Sequence, residues 1–282
     1  MSVQAQIIYR DQFVAGFERR SSVLREAVTT DTESRGGGVY FLIASSNNRT
    51  AVTRGSNGLI PSSDDSQSQV LASFAEAHDL QKRTGFDIFR AQSNQLEIMR
   101  MNGMAVINRK IDDVIINGAL ATGTVNLGSV GTMSKTVANQ IVTKLRNAFV
   151  GEDTSGQLYA AISPAAYAYM TDITSFANTL YCTATGGKME EGIPSIGKWK
   201  YWMGIMWTEH TGLTGVGTNS CTCFAWHKAA VGHAIATGSI DAVIDRNREQ
   251  DYSYARHSVY QAAQKLQNAG IVKFTHDDSA LS

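Results

Sequence analysis

Residues 29–69 set the strongest limit on the fold, because they have strand chemistry without enough apolar residues for a core of their own. A flexible, glycine-containing segment, Thr29–Gly38, leads into a short apolar run, Val39–Ala44, that is typical of a β-strand. After a turn cluster at Ser45–Asn48, the alternation over residues 49–54 predicts a returning strand. Because isolated hairpins are only marginally stable in water, we expect this two-stranded ribbon to pack against something else.

Composition excludes several classes of protein. The chain has 282 residues, with 25 Lys and Arg against 25 Asp and Glu, so its formal net charge is zero. We do not expect tight general binding to nucleic acid, because that affinity depends on a surplus of Lys and Arg. A neutral chain is also weakly protected from self-association, which suits a protein that assembles. The sequence has no signal-peptide pattern and no run of about 18 apolar residues, so we expect no membrane partner.

No metal or catalytic constellation is visible. Cys182, Cys221 and Cys223 are too few for tetrahedral zinc, and their odd count favours unpaired thiols in a reducing compartment. The histidines show no helical i, i+4 pair, and we interpret them as buried or interface residues. Asp112 and Asp113 point in different directions on a helix, so we interpret them as a solvated face or an inter-subunit ion pair. We therefore predict no enzyme activity, no metal and no cofactor.

A phosphate-binding loop is the alternative from a different functional class. Gly192–Lys198 matches the pattern G-x-x-x-x-G-K, but Trp199 stands where a Ser or Thr would ligate magnesium. The residues that follow have strand chemistry, whereas a phosphate loop must open a helix. A nucleotide-handling enzyme would be favoured only by nucleotide binding that is lost on Lys198→Ala.

Helical periodicity is strongest near the middle of the chain. From Gln92 to Leu120 one apolar face repeats, and a helix of that length spans about 40 Å. We also predict an amphipathic helix through Val28. A helix with its N-cap at Ser134 is predicted to run to Phe149, after a Gly/Thr-rich turn at Thr122–Gly131.

The remaining elements mix strands with short helices. Ser163 and Pro164 predict the N-cap and first residue of a helix that runs to about Ala177. The extended or strand-like stretches are Leu158–Ile162, Trp199–Thr208, Cys223–Trp226, Ala229–Ala236, Ile240–Asp245 and Ser258–Phe274. This order predicts an α+β fold and not the regular alternation of a parallel sheet.

Five stretches, taken in order, carry a resemblance to a known family. They are Lys110–Leu120, Val137–Leu145, the strand-Ser-Pro-helix at 158–177, Ile196–His210 and Cys223–Ala236. Together they resemble the major capsid proteins of tailed bacteriophages, which have the Hong Kong 97-type shell fold. The likeness covers about residues 35–275, and it rests on the order and spacing of the stretches.

The resemblance implies an α+β capsid fold with four parts. These are an N-terminal arm (1–34), an extended hairpin called the E-loop (35–72), a peripheral domain built on a long spine helix (73–125 and 238–282) and an axial domain (126–237). Glycines beside the hairpin would act as hinges, because one subunit must occupy slightly different positions in a closed shell. The hinge candidates are Gly36, Gly37, Gly38, Gly55 and Gly58.

The function implied is that of a major capsid protein. Many copies would form hexamers and pentamers of an icosahedral virion shell around packaged double-stranded DNA, assembled in the host cytoplasm with portal, scaffold and cement proteins as expected partners. On the E-loop, Arg49, Arg54 and Tyr40 are the expected inter-subunit contacts, and a solvated hairpin face is the alternative. An encapsulin-type compartment shell, which would hold a cargo enzyme in place of DNA, is the alternative with the same fold.

Two departures from the family pattern carry expectations of their own. Some members join neighbouring subunits through a Lys–Asn isopeptide bond, with the lysine on the E-loop. Here the first lysine is Lys82, so residues 35–72 hold no amine nucleophile, and we predict a shell held by noncovalent contacts. The arm also begins almost at once, so we expect any scaffold to be a separate protein.

Overall fold

The computed structural model describes residues 21–33, 36–45, 50–55, 57–60, 62, 64–91, 94–148, 157–177, 183–184 and 199–281. In these residues the helices are α1 (Gly85–Arg90), α2 (Gln95–Val114), α3 (Lys135–Asn147), α4 (Pro164–Thr171) and α5 (Thr174–Ala177). The strands are β1 (Thr29–Glu33), β2 (Gly38–Ser45), β3 (Ser66–Ser73), β4 (Ala75–Thr84), β5 (Val125–Gly131), β6 (Leu158–Ile162), β7 (Thr183–Ala184), β8 (Lys200–Trp202), β9 (Ile205–Glu209), β10 (Cys221–His227), β11 (Val231–Ala236), β12 (Asp241–Asn247), β13 (Tyr252–Lys265) and β14 (Ile271–His276).

The strands form two sheets and a separate ribbon. The first sheet has the order β1-β11-β13-β12, and β4 pairs with β13 in antiparallel register over the full length of β4. The second sheet has the order β5-β14-β10-β6-β9-β8-β7. The ribbon consists of β2 and β3, which pair with each other. Helices and mixed sheets together confirm the predicted α+β class.

The long central helix is confirmed from Gln95 to Leu120. The side chain of Asn94 caps it by accepting the N–H of Glu97 at 3.3 Å, and α2 continues after Val114 as a π-helical turn. Its apolar residues recur every three or four positions, so one face is buried. The buried residues of α2 and the π turn are Met99, Gly103, Ala105, Ile107, Ile111, Asp112, Ile115, Ile116, Ala119 and Leu120.

One main core joins the long helix to the second sheet. Strand β10 is buried at every position except Thr222, as in a strand covered on both faces, whereas Lys273 and Thr275 of β14 are only half-buried. Helices α3 and α4 begin at their predicted caps, Ser134 and Ser163, whose hydroxyls accept backbone N–H groups of the first turn. The largest fully buried side chains of this core include Trp207, Trp226, Phe176, Phe224 and Phe274.

The secondary structure predicted for three segments is wrong. Residues 29–33, predicted as part of a flexible stretch, form β1, because their threonines suit a strand and β11 offers a parallel edge. The returning strand of the ribbon is β3, whereas residues 50–55 are exposed and irregular. The stretch predicted as a turn at Thr122–Gly131 contains β5, which pairs in parallel with β14. Each pairing depends on a distant segment, and local sequence does not show it.

Two predicted elements are interrupted. The aromatic stretch Trp199–Thr208 is a hairpin, since β8 and β9 meet at a two-residue turn where Met203 and Gly204 have φ of 54° and 85°. The helix predicted to reach Ala177 ends at Thr171 and resumes as α5.

The amphipathic helix expected through Val28 is reduced, in the described residues, to a 3₁₀ turn at Leu24–Ala27, and residues 1–20 lie outside them.

Neither sheet is confined to one side of residue 238, which is the predicted boundary between the axial and peripheral domains. Strand β11 precedes that residue but pairs with β13 in the first sheet. Strand β14 follows it but pairs with β10 and β5 in the second sheet. The domain division itself stays a prediction.

A glycine determines how closely α2, the predicted spine helix, approaches the first sheet. The side chain of His257, on β13, is buried against α2 at Gly103, and a Cβ at that position would overlap the imidazole ring. Burial also lowers the pKa of His257, so the ring is neutral at pH 7. A neutral ring can therefore lie in this apolar contact without an ion-pair partner.

We predict that Gly103→Ala lowers the free energy of unfolding by about 1–3 kcal/mol, because the added methyl overpacks the contact with His257. Helix propensity alone predicts the opposite sign, a gain of about 1 kcal/mol. Urea denaturation of the full-length chain measures the change, and Asn102→Ala, on the exposed face of the same helix, serves as the control. Wild-type stability for Gly103→Ala would contradict the contact, as would a penalty that persists in the His257→Ala background.

Candidate assembly surface

The ribbon is built from two eight-residue strands in antiparallel register. Gly38 pairs with Ser73 at the root, and Ser45 pairs with Ser66 at the distal end. The N–H of Phe74 donates to the carbonyl of Gly37 at 2.9 Å, which continues the pairing into the body. Side chains alternate across the strands, so each strand presents one set to the body and one set away from it.

One face of the ribbon packs on the first sheet. Val39, Phe41 and Ala72 are buried against Ala234 and Ala262, in a small core separate from the main one. The ring of Phe41 also covers Gly232, where a Cβ would lie 2.9 Å from Cε2 of the ring. The root of the ribbon is therefore fixed to its own chain by a few apolar contacts.

The opposite face of the ribbon is exposed and carries three large apolar side chains. Tyr40, Leu42 and Leu71 are 63%, 64% and 43% exposed. Tyr40 and Leu71 are direct cross-strand partners, so they form one continuous surface. In the segment between the strands, Leu59 and Ile60 are exposed as well. Exposed large apolar side chains that lie together are typical of surfaces that bind a partner.

The predicted E-loop residues take different positions. Tyr40 lies on the exposed face of β2, and Arg54 is exposed in the irregular segment before the tip turn. Arg49 lies outside the described residues. Their role as inter-subunit contacts stays a prediction.

The five predicted hinge glycines fall into two groups. At the tip, the N–H of Gly58 donates to the carbonyl of Gly55, and Gly58 has a φ of 73° that favours glycine. At the root, Gly36 has a φ of 117°, and Gly37 follows it. Gly38 lies within β2, where a Cβ would overlap the carbonyl oxygen of Ala72, so close backbone approach explains this glycine.

Buried carboxylates are the polar feature that the sequence analysis missed. Asp112 is fully buried and accepts hydrogen bonds from Ser22, Val23 and Leu24, so its interpretation as a solvated or inter-subunit residue is wrong. Its neighbour Asp113 is half exposed and pairs with Lys110 at 2.6 Å. The donors to Asp112 lie far away in sequence, so no local pattern distinguishes the two aspartates.

A second buried carboxylate, Asp278, ties the chain end to the main core. It accepts the hydroxyl of Ser163 at 2.7 Å, Nδ1–H of His276 at 2.6 Å and the N–H of Gly217 at 3.1 Å. Burial disfavours the charged form, but these hydrogen bonds outweigh it and lower the pKa of Asp278. Ser163 donates to the carboxylate and not to His276, so the three residues do not form a nucleophilic triad.

Other chemistry is limited in the described part of the chain. No group of three His, Cys, Asp or Glu side chains there is placed to hold a metal ion. Cys221 and Cys223 lie side by side on β10, and the contact with Cys221 together with burial raises the pKa of Cys223, which keeps its thiol protonated. The loop Gly192–Lys198 lies outside the described residues. No helix within the described ranges is long and apolar enough to span a membrane.

The fold and the two-faced ribbon are those expected of a structural subunit. A sequence profile of the phage capsid protein family matches residues 2–172 and 192–278. The chain therefore belongs to the phage capsid protein family, and its role is that of a major capsid protein in the virion shell.

Solved structures agree with this assignment at the level of the fold. The capsid of Ralstonia phage GP4 matches with a TM-score of 0.72 at 10% identity, covering 98% of this chain and 96% of that chain. A structure from Mycobacterium phage Che8 matches with a TM-score of 0.67 at 13% identity, covering 97% and 98%. The capsid of a native GTA particle matches with a TM-score of 0.72 at 8% identity, covering 97% and 96%. A search of curated protein sequences finds no match.

These matches confirm the predicted Hong Kong 97-type capsid fold and the predicted family. They also confirm that the chain is a structural protein and not an enzyme. Self-assembly into a shell follows from membership of the phage capsid protein family.

We predict that the two faces of the ribbon respond differently to truncation. Phe41→Ala removes the ring that covers Gly232, so amides of β2 and β3 should exchange hydrogen at least tenfold faster. Tyr40→Ala, one residue away on the exposed face, should leave exchange in the isolated subunit within about threefold of wild type. Hydrogen exchange read by mass spectrometry over residues 38–45 and 66–73 measures both. Equal protection in the two variants would show that the root does not depend on this packing.

Proposed function

We propose that copies of this chain form the hexamers and pentamers of an icosahedral shell around packaged double-stranded DNA, with each ribbon lying on a neighbouring copy. The observation that carries the proposal is the division of the ribbon into a face that is packed on its own chain and a face that is not. An apolar face beside Tyr40 and Leu42 gains free energy when a neighbour covers it, at about 25 cal/mol per Å² of apolar surface.

The shell is held by noncovalent contacts in this proposal. Residues 35–72 contain no lysine, and Lys82 lies on β4 with its ammonium 4.9 Å from the ring centroid of Tyr252. Arg49, Arg54 and Tyr40 are the proposed inter-subunit contacts on the ribbon. Arginine suits this role, because its planar guanidinium can bind a carboxylate through two parallel hydrogen bonds.

The proposed domain roles follow the family pattern. The arm (1–34) and the E-loop (35–72) would reach neighbours, the peripheral domain (73–125 and 238–282) would hold the spine helix, and the axial domain (126–237) would surround the capsomer centre. The hinge glycines would let the ribbon change direction between hexamers and pentamers. The positive φ values of Gly36 and Gly58 support a conformational need for glycine at those two positions.

Other partners belong to the same proposal. A closed shell that is filled with DNA needs a portal, and assembly in the host cytoplasm would use a scaffold protein and, on the finished shell, cement proteins. The packaged DNA would be held without sequence-specific contacts, and a formal net charge of zero agrees with weak general binding between the shell and the DNA.

Charge reversal on the ribbon tests the proposal. We predict that Arg49→Glu with Arg54→Glu reduces the yield of particles on the order of tenfold, because like charges at an interface disfavour the correct contact. The subunit should stay soluble and folded, since Arg54 is exposed in the monomer. Sedimentation and negative-stain electron microscopy of the overexpressed chain measure the yield.

The matched control keeps the charge. Arg49→Lys with Arg54→Lys should assemble at close to the wild-type yield, because the positive charge at both positions is kept. A normal yield of closed particles from the double Glu variant would remove these arginines from the proposal.

A further inference from the structure

Two histidines lie buried on the face of the first sheet that α2 covers. His257 and Gln261 are four residues apart on β13, so their side chains leave the same side of the strand. His233, on the neighbouring strand β11, lies on that side as well, because its ring reaches the side chain of Gln261. His233 is completely buried, and His257 is 2% exposed. Polar rings therefore stand where a sheet covered by a helix normally has apolar side chains.

The ring of His233 has no place for a second proton. Its Nε2 lies 3.1 Å from Oε1 of Gln261, so Nε2 carries the proton of the neutral ring and Nδ1 carries none. Nδ1 is buried and has no hydrogen-bond partner in the described part of the chain. Protonation would place an N–H there that lacks an acceptor, together with a buried positive charge.

The charged groups around His233 do not offset that cost. Arg25, on the 3₁₀ turn before β1, disfavours a second positive charge, whereas Asp112 on α2 favours it. The oxygens of Asp112 already accept hydrogen bonds from residues 22–24 and face Nε2 of His210 at 3.4 Å. Burial has the largest effect and lowers the pKa of His233.

His257 is held in the same way from the other side of α2. Its Nδ1 lies against Gly103, where a Cβ would overlap it, and neither ring nitrogen has a hydrogen-bond partner among the described residues. Asp79 on β4, Asp241 on β12 and the backbone carbonyl of Arg100 favour the protonated ring, and the guanidinium of Arg100 disfavours it. Burial outweighs these effects and lowers the pKa of His257.

We propose that His233 and His257 form an acid-sensing pair, which stabilises the contact between α2 and the first sheet while both rings are neutral and weakens it when they take up protons. The strands that carry the pair also hold the root of the ribbon, through Ala234 and Ala262 on their other face. Acid therefore weakens the support of the surface that carries the ribbon.

The direction of the pH dependence follows from the two folded-state pKa values. Each lies below the ordinary pKa of 6.5, which applies to the unfolded chain. The stability that the neutral rings contribute is complete above pH 6.5 and is lost as the pH falls from 6.5 toward the folded-state pKa. Asp112 and Asp278, whose pKa values are also lowered, lose their contribution only in more acidic solution.

Urea denaturation of the full-length chain at about pH 7.5 and about pH 5.5 tests the proposal. We expect the equilibrium constant for unfolding to rise on the order of ten- to hundredfold between the two, because each ring contributes up to about tenfold per pH unit. His233→Gln with His257→Gln should remove most of that rise, since glutamine is polar but does not titrate. The matched control, His78→Gln at an exposed position of β4, should leave the rise unchanged.

Proton NMR of the histidine rings in the wild-type chain supplies a measurement that does not depend on the variants folding. The signals of His233 and His257 should keep their neutral positions as the pH is lowered through 6.5. Titration of both rings at the ordinary value in the folded chain would overturn the proposal. An unfolding constant that is equal at the two pH values would also overturn it, as would a rise that the double variant keeps in full.

Discussion

A small apolar contact at the root of the ribbon determines which of its side chains stay exposed. Phe41 lies over Gly232, and Val39 and Ala72 cover Ala234 and Ala262, so the ribbon is attached along one face. Side chains alternate along a strand, and the same attachment turns Tyr40, Leu42 and Leu71 away from the body. The packing that fixes the ribbon to its own chain thereby creates the face that is left for another chain.

Polar groups have a different role in this molecule: they attach segments to a core that is otherwise apolar. Asp112 accepts hydrogen bonds from residues 22–24 and from His210 after β9, and Asp278 accepts them from Ser163, His276 and Gly217. Each carboxylate is buried with its hydrogen bonds made, which is the condition under which a buried charge is tolerated. The segment that Asp112 holds also contributes Leu24, Ala27 and Val28 to the main core, so the polar and apolar attachments act together there.

Sequence patterns predicted the elements whose signal is local. The spine helix, the caps at Ser134 and Ser163, and strand β6 follow from periodicity and capping chemistry within a few residues. Elements chosen by distant partners were missed: β1 needs β11, β5 needs β14, and β3 needs the alanines of the first sheet. Residues 49–54 alternate as well as β3 does, and only packing decides between them. Asp112 was misread for the same reason, since its donors come from another part of the chain.

A cryo-electron-microscopy map of the particles formed by the overexpressed full-length chain decides where the free face of the ribbon lies. We expect closed shells in which Tyr40, Leu42 and Leu71 are buried against an adjacent copy, while Phe41 stays packed over Gly232 of its own chain. A monomer that does not assemble, or a shell in which that face meets only solvent or its own body, would contradict the account.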